Sequence, residues 1–144
     1  MTNYLVRLLA LLALITPIGA ASAGQDPAAI IGEWHGTSLC TDRVAAPGCN
    51  DEVVIYTFTR SADAPGSKVS LKADKIVNGQ RVTMGESDLT YNDKEQAWTF
   101  EFKNARNHIL WAYAAQGDML TGTLYNIADR NVLRRAAATR KAKP

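Results

Sequence analysis

Four groups of residues have types and spacings that could do chemistry. Glu86 and Asp88 are carboxylates two residues apart, so on a strand they share a face, and paired carboxylates can hydrolyse glycosidic bonds. His35 and His108 are the two histidines, and with added carboxylates they could hold a metal ion. Cys40 and Cys49 are the two cysteines, which read as a redox pair, a metal pair or a structural bridge. The fourth group is aromatic: Trp34, Tyr56, Phe58, Tyr91, Trp98, Phe100, Phe102, Trp111, Tyr113 and Tyr125, which could stack on a flat or lipid-like ligand.

The first three groups favour plain readings. Glu86 and Asp88 follow Gly85, and acids beside a bulge are a solvated rim. The two histidines fall in segments that are not neighbours in a chain of hairpins, so they read as surface residues. The cysteine spacing is not C-x-x-C, and no histidine lies between the two. No G-x-G-x-x-G, P-loop, G-x-S-x-G or H-E-x-x-H pattern is present, each of which carries a known catalytic or nucleotide-binding geometry. The expectation is a non-enzyme with no catalytic residue, cofactor or metal site.

The elements that must position the aromatics are strands. After residue 24 the chain alternates apolar and polar residues between short turns, the signature of an all-β sandwich or barrel. Eight strands are expected at residues 30–39, 52–60, 68–77, 80–91, 97–103, 107–115, 118–125 and 131–139. Asn78-Gly79 suits a type I′ hairpin turn, because both residues tolerate positive φ. That turn sets Val77 against Gln80 and Ala73 against Met84, with Gly85 absorbing a change of parity as a bulge. Tyr91 and Leu89 then oppose Trp98 and Phe100, and Phe102 and Phe100 oppose Ile109 and Trp111. A Gln116-Gly117 turn puts Tyr113 against Leu120 and Trp111 against Gly122. Successive hairpins with matching inner faces describe an eight-stranded antiparallel up-and-down β-barrel, closed between its first and last strands. Nine of the ten aromatics point inward, Tyr125 being the exception. The expected interior is filled or nearly filled, with a small pocket at one mouth as the alternative. Tyr56, Trp98, Phe100, Trp111 and Tyr113 are the candidate ligand contacts.

The start of the chain reads differently. Arg7, the apolar run Leu8 to Ile15 and Ala21-Ser22-Ala23 form the basic, apolar and A-x-A regions of a signal peptide cut after Ala23. Residues 1–23 are therefore read as a leader and 24–144 as one barrel domain. The apolar run is too short to span a bilayer. The product is expected to be exported, periplasmic or secreted, and soluble. In that compartment an even cysteine count favours a Cys40–Cys49 disulfide. Removing the leader removes Arg7, leaving 15 basic against 14 acidic residues. Six of the basic ones, Arg130, Arg134, Arg135, Arg140, Lys141 and Lys143, crowd the end of the chain with no acid among them. Such a segment could touch an extracytoplasmic protein or an anionic surface. No aromatic interleaves it, which argues against nucleic acid.

At the first strand the chain reads Ile31-Gly32-Glu33-Trp34-His35-Gly36. A G-x-W there resembles the calycins, the superfamily of lipocalins, fatty-acid-binding proteins and avidins. The resemblance implies that Trp34 plugs one barrel end beside Gly32, covered by a basic residue of the last strand. Arg134 and Arg135 are the candidates, Arg134 favoured because it shares its side with Val132. It implies non-catalytic binding of a small apolar or aromatic ligand, or of a macromolecular partner. A second resemblance, to the bacterial metallopeptidase inhibitors, implies inhibition of an extracytoplasmic peptidase. There the rim loops, or an N-terminal segment at residues 24–29, would enter the protease cleft.

Overall fold

The computed structural model describes residues 26–142. The leader read at residues 1–23 lies outside the described residues, as does Lys143. A 3₁₀ turn at Pro27–Ala29 leads into β1 (Gly32–Cys40), β2 (Glu52–Arg60), β3 (Lys68–Val77), β4 (Gln80–Asn92), β5 (Ala97–Lys103), β6 (His108–Gln116), β7 (Met119–Asn126) and β8 (Val132–Arg140). Each strand pairs antiparallel with the next, and β8 returns to β1 to close the barrel. The architecture is the eight-stranded up-and-down barrel that the alternation and turn spacing imply. Among the described residues no helix is long and apolar enough to cross a membrane.

Turn chemistry sets the register. Asn78 and Gly79 have φ of 52° and 77°, the left-handed pair of a type I′ turn, and Val77 pairs with Gln80 as expected. Further along this hairpin Ala73 pairs with Gly85 and Asp74 with Thr83, so Met84 is the extra, bulged residue. The β6–β7 turn is Gly117-Asp118, not Gln116-Gly117, because Gln116 pairs with Met119. Gly117, at φ 59°, supplies the positive φ that a two-residue turn needs at its first central position. The change keeps every side chain on its face but gives Tyr113, rather than Trp111, the space over Gly122. A Cβ there would lie 2.8 Å from the Tyr113 ring.

The β4–β5 seam departs most from expectation. Only Thr90 to Asn92 pair with Ala97 to Thr99, so the expected Leu89–Phe100 pair does not form. Beyond that point the two strands part. The inward and outward directions of Phe102 and Tyr125 are as expected, but direction does not decide their burial. Phe102 points inward but is 49% exposed, whereas the outward Tyr125 is buried beneath the Arg130 guanidinium, 3.8 Å from the ring centroid.

One end of the barrel is sealed. Asp26 caps the 3₁₀ turn by accepting a hydrogen bond from the Ala28 N–H, and Ile30 is fully buried. The buried Trp34 donates its indole N–H to the Ile30 carbonyl at 2.9 Å. Arg140 lies across the Trp34 ring, 4.0 Å from its centroid, and donates to the Ile31 and Ala29 carbonyls. The cover is therefore Arg140, and neither Arg134 nor Arg135. The reason is strand direction: β8 runs antiparallel to β1, so the start of β1 meets the end of β8, and Trp34 pairs with Arg140 while Arg134 pairs with Cys40. Gly32 suits this position because its φ of 135° is a conformation that L side chains rarely adopt, and the Arg140 guanidinium packs beside it.

Candidate functional site

The opposite end is open. In an up-and-down barrel the β1–β2, β3–β4, β5–β6 and β7–β8 connections share one end, and there the inward residues enclose a cavity of about 540 Å³. Its walls include Leu71, Ala73, Met84, Phe100, Phe102 and Trp111, and its polar lining is Ser38, Glu52, Tyr56, Ser87, Tyr113 and Arg134. The parting of β4 from β5 matters for access. Met84, Gly85 and Ser87 line the cavity from one side of the unpaired stretch, and Phe100 and Phe102 from the other. The interior is thus packed at the sealed end and hollow at the mouth.

Alternation on β8 aims Arg134, Ala136, Ala138 and Arg140 at the interior. The two small alanines face the middle of the barrel, and the two arginines serve opposite ends. At the mouth Arg134 donates to Ser38 Oγ and the Ser38 carbonyl, to the Asn50 carbonyl, and to Glu52 Oε2 at 3.0 Å. It also reaches Cys49 Sγ at 3.3 Å. Glu52 in turn accepts from Lys75 Nζ at 3.2 Å. This ion triad is mostly shielded from solvent, where paired charges interact more strongly than on the surface. It carries two cations against one carboxylate.

The Cys40–Cys49 disulfide forms, with a Cα–Cα distance of 6.0 Å. It fixes the β1–β2 loop whose Cys49 and Asn50 hold Arg134.

Of the five expected ligand contacts, Tyr56, Phe100, Trp111 and Tyr113 line the cavity. Trp111 and Tyr113 stack with centroids 5.1 Å apart, and Tyr56 meets Tyr113 edge-on at 5.3 Å. The two buried phenols find partners: burial raises the pKa of Tyr56, opposed by hydrogen bonds with Ser38 and Tyr113. Burial likewise pushes Tyr113 well above the usual range. Trp98 does not reach this cavity. It borders a separate void of about 40 Å³ beside Ile30 and Tyr91, towards the sealed end. Strand direction is again the reason, since Trp98 lies at the start of β5 and the mouth at its end.

Ser38, Glu52, Lys75 and Met84 were not anticipated. Glu52 has the inward parity of Val54 and Tyr56, a signal present in the sequence, but a charged residue at a strand start reads as solvated.

The remaining candidates lie elsewhere. Glu86 and Asp88 are on the outer face of β4, opposite Lys72 and Ser70, and Ser70 Oγ donates to Asp88. His35 sits 2.6 Å from Glu33 and His108 contacts Glu101, on separate parts of the barrel. Four of the six C-terminal basic residues have partners: Arg130 with Glu95, Arg134 with Glu52, Arg140 with Trp34, and Lys141 with Glu33. They do not form a free basic patch. Residues 26–29, the described part of the expected inhibitory arm, are the turn that seals the barrel through Arg140 and Trp34, not a protruding segment.

No family model and no curated protein matches this chain. Among solved structures the chain is similar to the siderocalin Ex-FABP, reported to function through dual ligand specificities. The two are 10% identical with a TM-score of 0.40, over 78% of this chain and 71% of that one. At that score the likeness stands as a finding alone, and the barrel fold rests on the strand pairing.

Proposed function

We propose that this barrel binds a small apolar or aromatic ligand, without catalysis, in the cavity at its open end. The observation that carries the reading is the lining: apolar and aromatic walls around one cluster of polar groups, in a volume of about 540 Å³. Small-molecule sites have this size and make-up. The stacked Trp111 and Tyr113 offer a face to a flat group. Arg134 and Lys75 outnumber Glu52, which favours a ligand with an acidic polar end. The Cys40–Cys49 bridge supports work outside the reducing cytoplasm.

The test uses anilinonaphthalene sulfonate, a flat apolar anion whose fluorescence rises on burial. Saturable enhancement is expected, with affinity reduced about tenfold or more in Trp111→Ala, as for the loss of a large buried contact. Met119→Asp, at the β6–β7 turn at the sealed end, should bind as wild type does. Non-saturable fluorescence, or equal affinity in all three proteins, would refute the reading.

A further inference from the structure

The two sulfurs of the Cys40–Cys49 bridge have unlike neighbours. Arg134 Nη1 reaches Cys49 Sγ at 3.3 Å, and among the described residues no donor reaches Cys40 Sγ. Arg43 donates to the Cys49 carbonyl at 2.8 Å, so a second guanidinium lies beside the same residue. Cys40 instead has a carboxylate for neighbour, because Asp51 Oδ1 accepts its backbone N–H at 2.8 Å. The acids around the loop are otherwise engaged. Asp51 also pairs with Arg43, and Glu52 with Arg134 and Lys75. Asp42 and Asp129 accept from backbone N–H groups and from Asn131. Both cysteines are half-buried, so a small reductant can reach the bond. A cation against one sulfur alone favours the thiolate of Cys49. In thiol–disulfide exchange the sulfur that better carries negative charge leaves faster.

We propose that the bridge is a redox switch on the cavity. A dithiol opens it at Cys40, Cys49 leaves as a thiolate held by Arg134, and the opened form binds an acidic ligand less tightly. One sulfur of the dithiol attacks Cys40 Sγ, and a mixed disulfide forms as the Cys40–Cys49 bond breaks. The second sulfur then displaces Cys40 and closes the reductant's own disulfide. The bridge gains two electrons and the dithiol loses two. Of the dithiol's two protons, one goes to Cys40 and one to solvent, because Cys49 stays ionised beside the guanidinium.

The consequence for binding is electrostatic. With the bridge closed, Arg134 and Lys75 stand against Glu52 alone, one cation in excess. With the bridge open, the Cys49 thiolate is a second anion against Arg134, and the excess is gone. Arg134 lines the cavity, so the charge is cancelled where an acidic group would lie, in a shielded place where charges act strongly. The guanidinium itself stays at the mouth. Its bonds to Ser38 and Glu52 are made to the paired strands β1 and β2, outside the loop that the bridge closes. The effect on binding rests on the ligand reading above, whereas the choice of leaving sulfur does not.

The experiment uses two variants that open the loop alike and differ in the thiolate: C40S keeps Cys49, and C40S/C49S keeps neither sulfur. At a pH of about 8, C40S is expected to bind anilinonaphthalene sulfonate at least about fivefold more weakly than C40S/C49S. Wild type should weaken by a similar factor when dithiothreitol reduces it. Rates of iodoacetamide alkylation against pH identify the thiolate without the probe. Cys49 in C40S should react at lower pH than Cys40 in C49S, and C40S/R134Q should lose that advantage. Coinciding pH profiles would overturn the choice of leaving sulfur, and equal probe affinity in C40S and C40S/C49S would overturn the switch. So would a reduced protein that has lost its fold by circular dichroism, because the bridge would then be a staple. Probe binding by no form at all would refute the ligand reading, and the effect on binding with it, while the alkylation profiles would still decide the leaving sulfur.

Discussion

The two ends of the barrel draw the same residue type from the same face of β8, six positions apart, and use it differently. At the sealed end Arg140 lies on the Trp34 indole and satisfies carbonyls of the incoming chain, so its charge completes a plug. At the mouth Arg134 is tied to Glu52 and to the disulfide loop, so its charge faces a cavity. What differs is what stands opposite. Residues 26–31 fold over one end and supply backbone acceptors and an apolar lid. Among the described residues no segment folds over the other, and the carboxylate of Glu52 holds the guanidinium to the wall. The packed plug is therefore at one end and the cavity at the other.

This contrast can be broken by substitution. Trp34→Ala should have the largest effect, about 3–5 kcal/mol of stability in urea melts, because a fully buried indole leaves a cavity that β-strands cannot close. Arg140→Ala should cost about 2–3 kcal/mol, from the lost cation–π contact and two charge-assisted hydrogen bonds. It should leave the affinity for the fluorescent probe unchanged, whereas Arg134→Ala should weaken it. Arg135→Ala, at an exposed outward position, should change stability by less than about 0.5 kcal/mol. If Arg140→Ala and Arg134→Ala alter probe affinity alike, the two ends are not independent.

Much of this arrangement was legible in the residues. Alternation and Gly- or Asn-rich turns were enough for the strand count, the antiparallel order and the closure, because each hairpin constrains only its neighbour. Tyr56, Phe100, Trp111 and Tyr113 could be placed inside by parity alone. Height along the axis was harder, since it depends on register accumulated around the whole barrel. A shift at the Gly117-Asp118 turn or at the Met84 bulge moves residues along a wall without changing their face. Strand direction decides the rest: Trp98, at the start of β5, lies towards the sealed end, and Arg134, near the start of β8, lies at the mouth. The direction of β8 against β1 could have assigned Arg140 from the sequence, since antiparallel closure brings the last residues of β8 to the first of β1. Glu52 carried the inward parity but, as a charged residue at a strand start, reads as solvated, and the β4–β5 parting had no signal at all. Charged inward residues and missing ladder bonds are decided by tertiary packing, not by local pattern.

A smaller effect than that of Arg140→Ala concerns the outer wall that braces the sealed end. Glu33 precedes Trp34 and points outward, 2.6 Å from His35 and in contact with Arg81 and Lys141. These contacts, the His35 hydrogen bond first, hold its pKa down to about 2. Arg81 also pairs at 2.7 Å with Asp74. Burial pushes the Asp74 pKa up, but hydrogen bonds from Thr83 and Arg81 outweigh it and leave it below the ordinary value. Both carboxylates thus bind protons less readily in the folded chain than in the unfolded one. Their contribution is complete above the ordinary carboxylate range and is lost as pH falls towards about 2. Because the Glu33 contacts are partly open to solvent, its share should be about 1 kcal/mol after screening. Glu33→Gln should therefore lower stability at neutral pH by about that amount and flatten the fall in stability between pH of about 4.5 and 2. Probe affinity at neutral pH should not change, because Glu33 does not line the cavity. Urea melts across that pH range measure the slope. An unchanged slope in Glu33→Gln would mean that the outer network does not brace the sealed end, and that the plug stands on Trp34 and Arg140 alone.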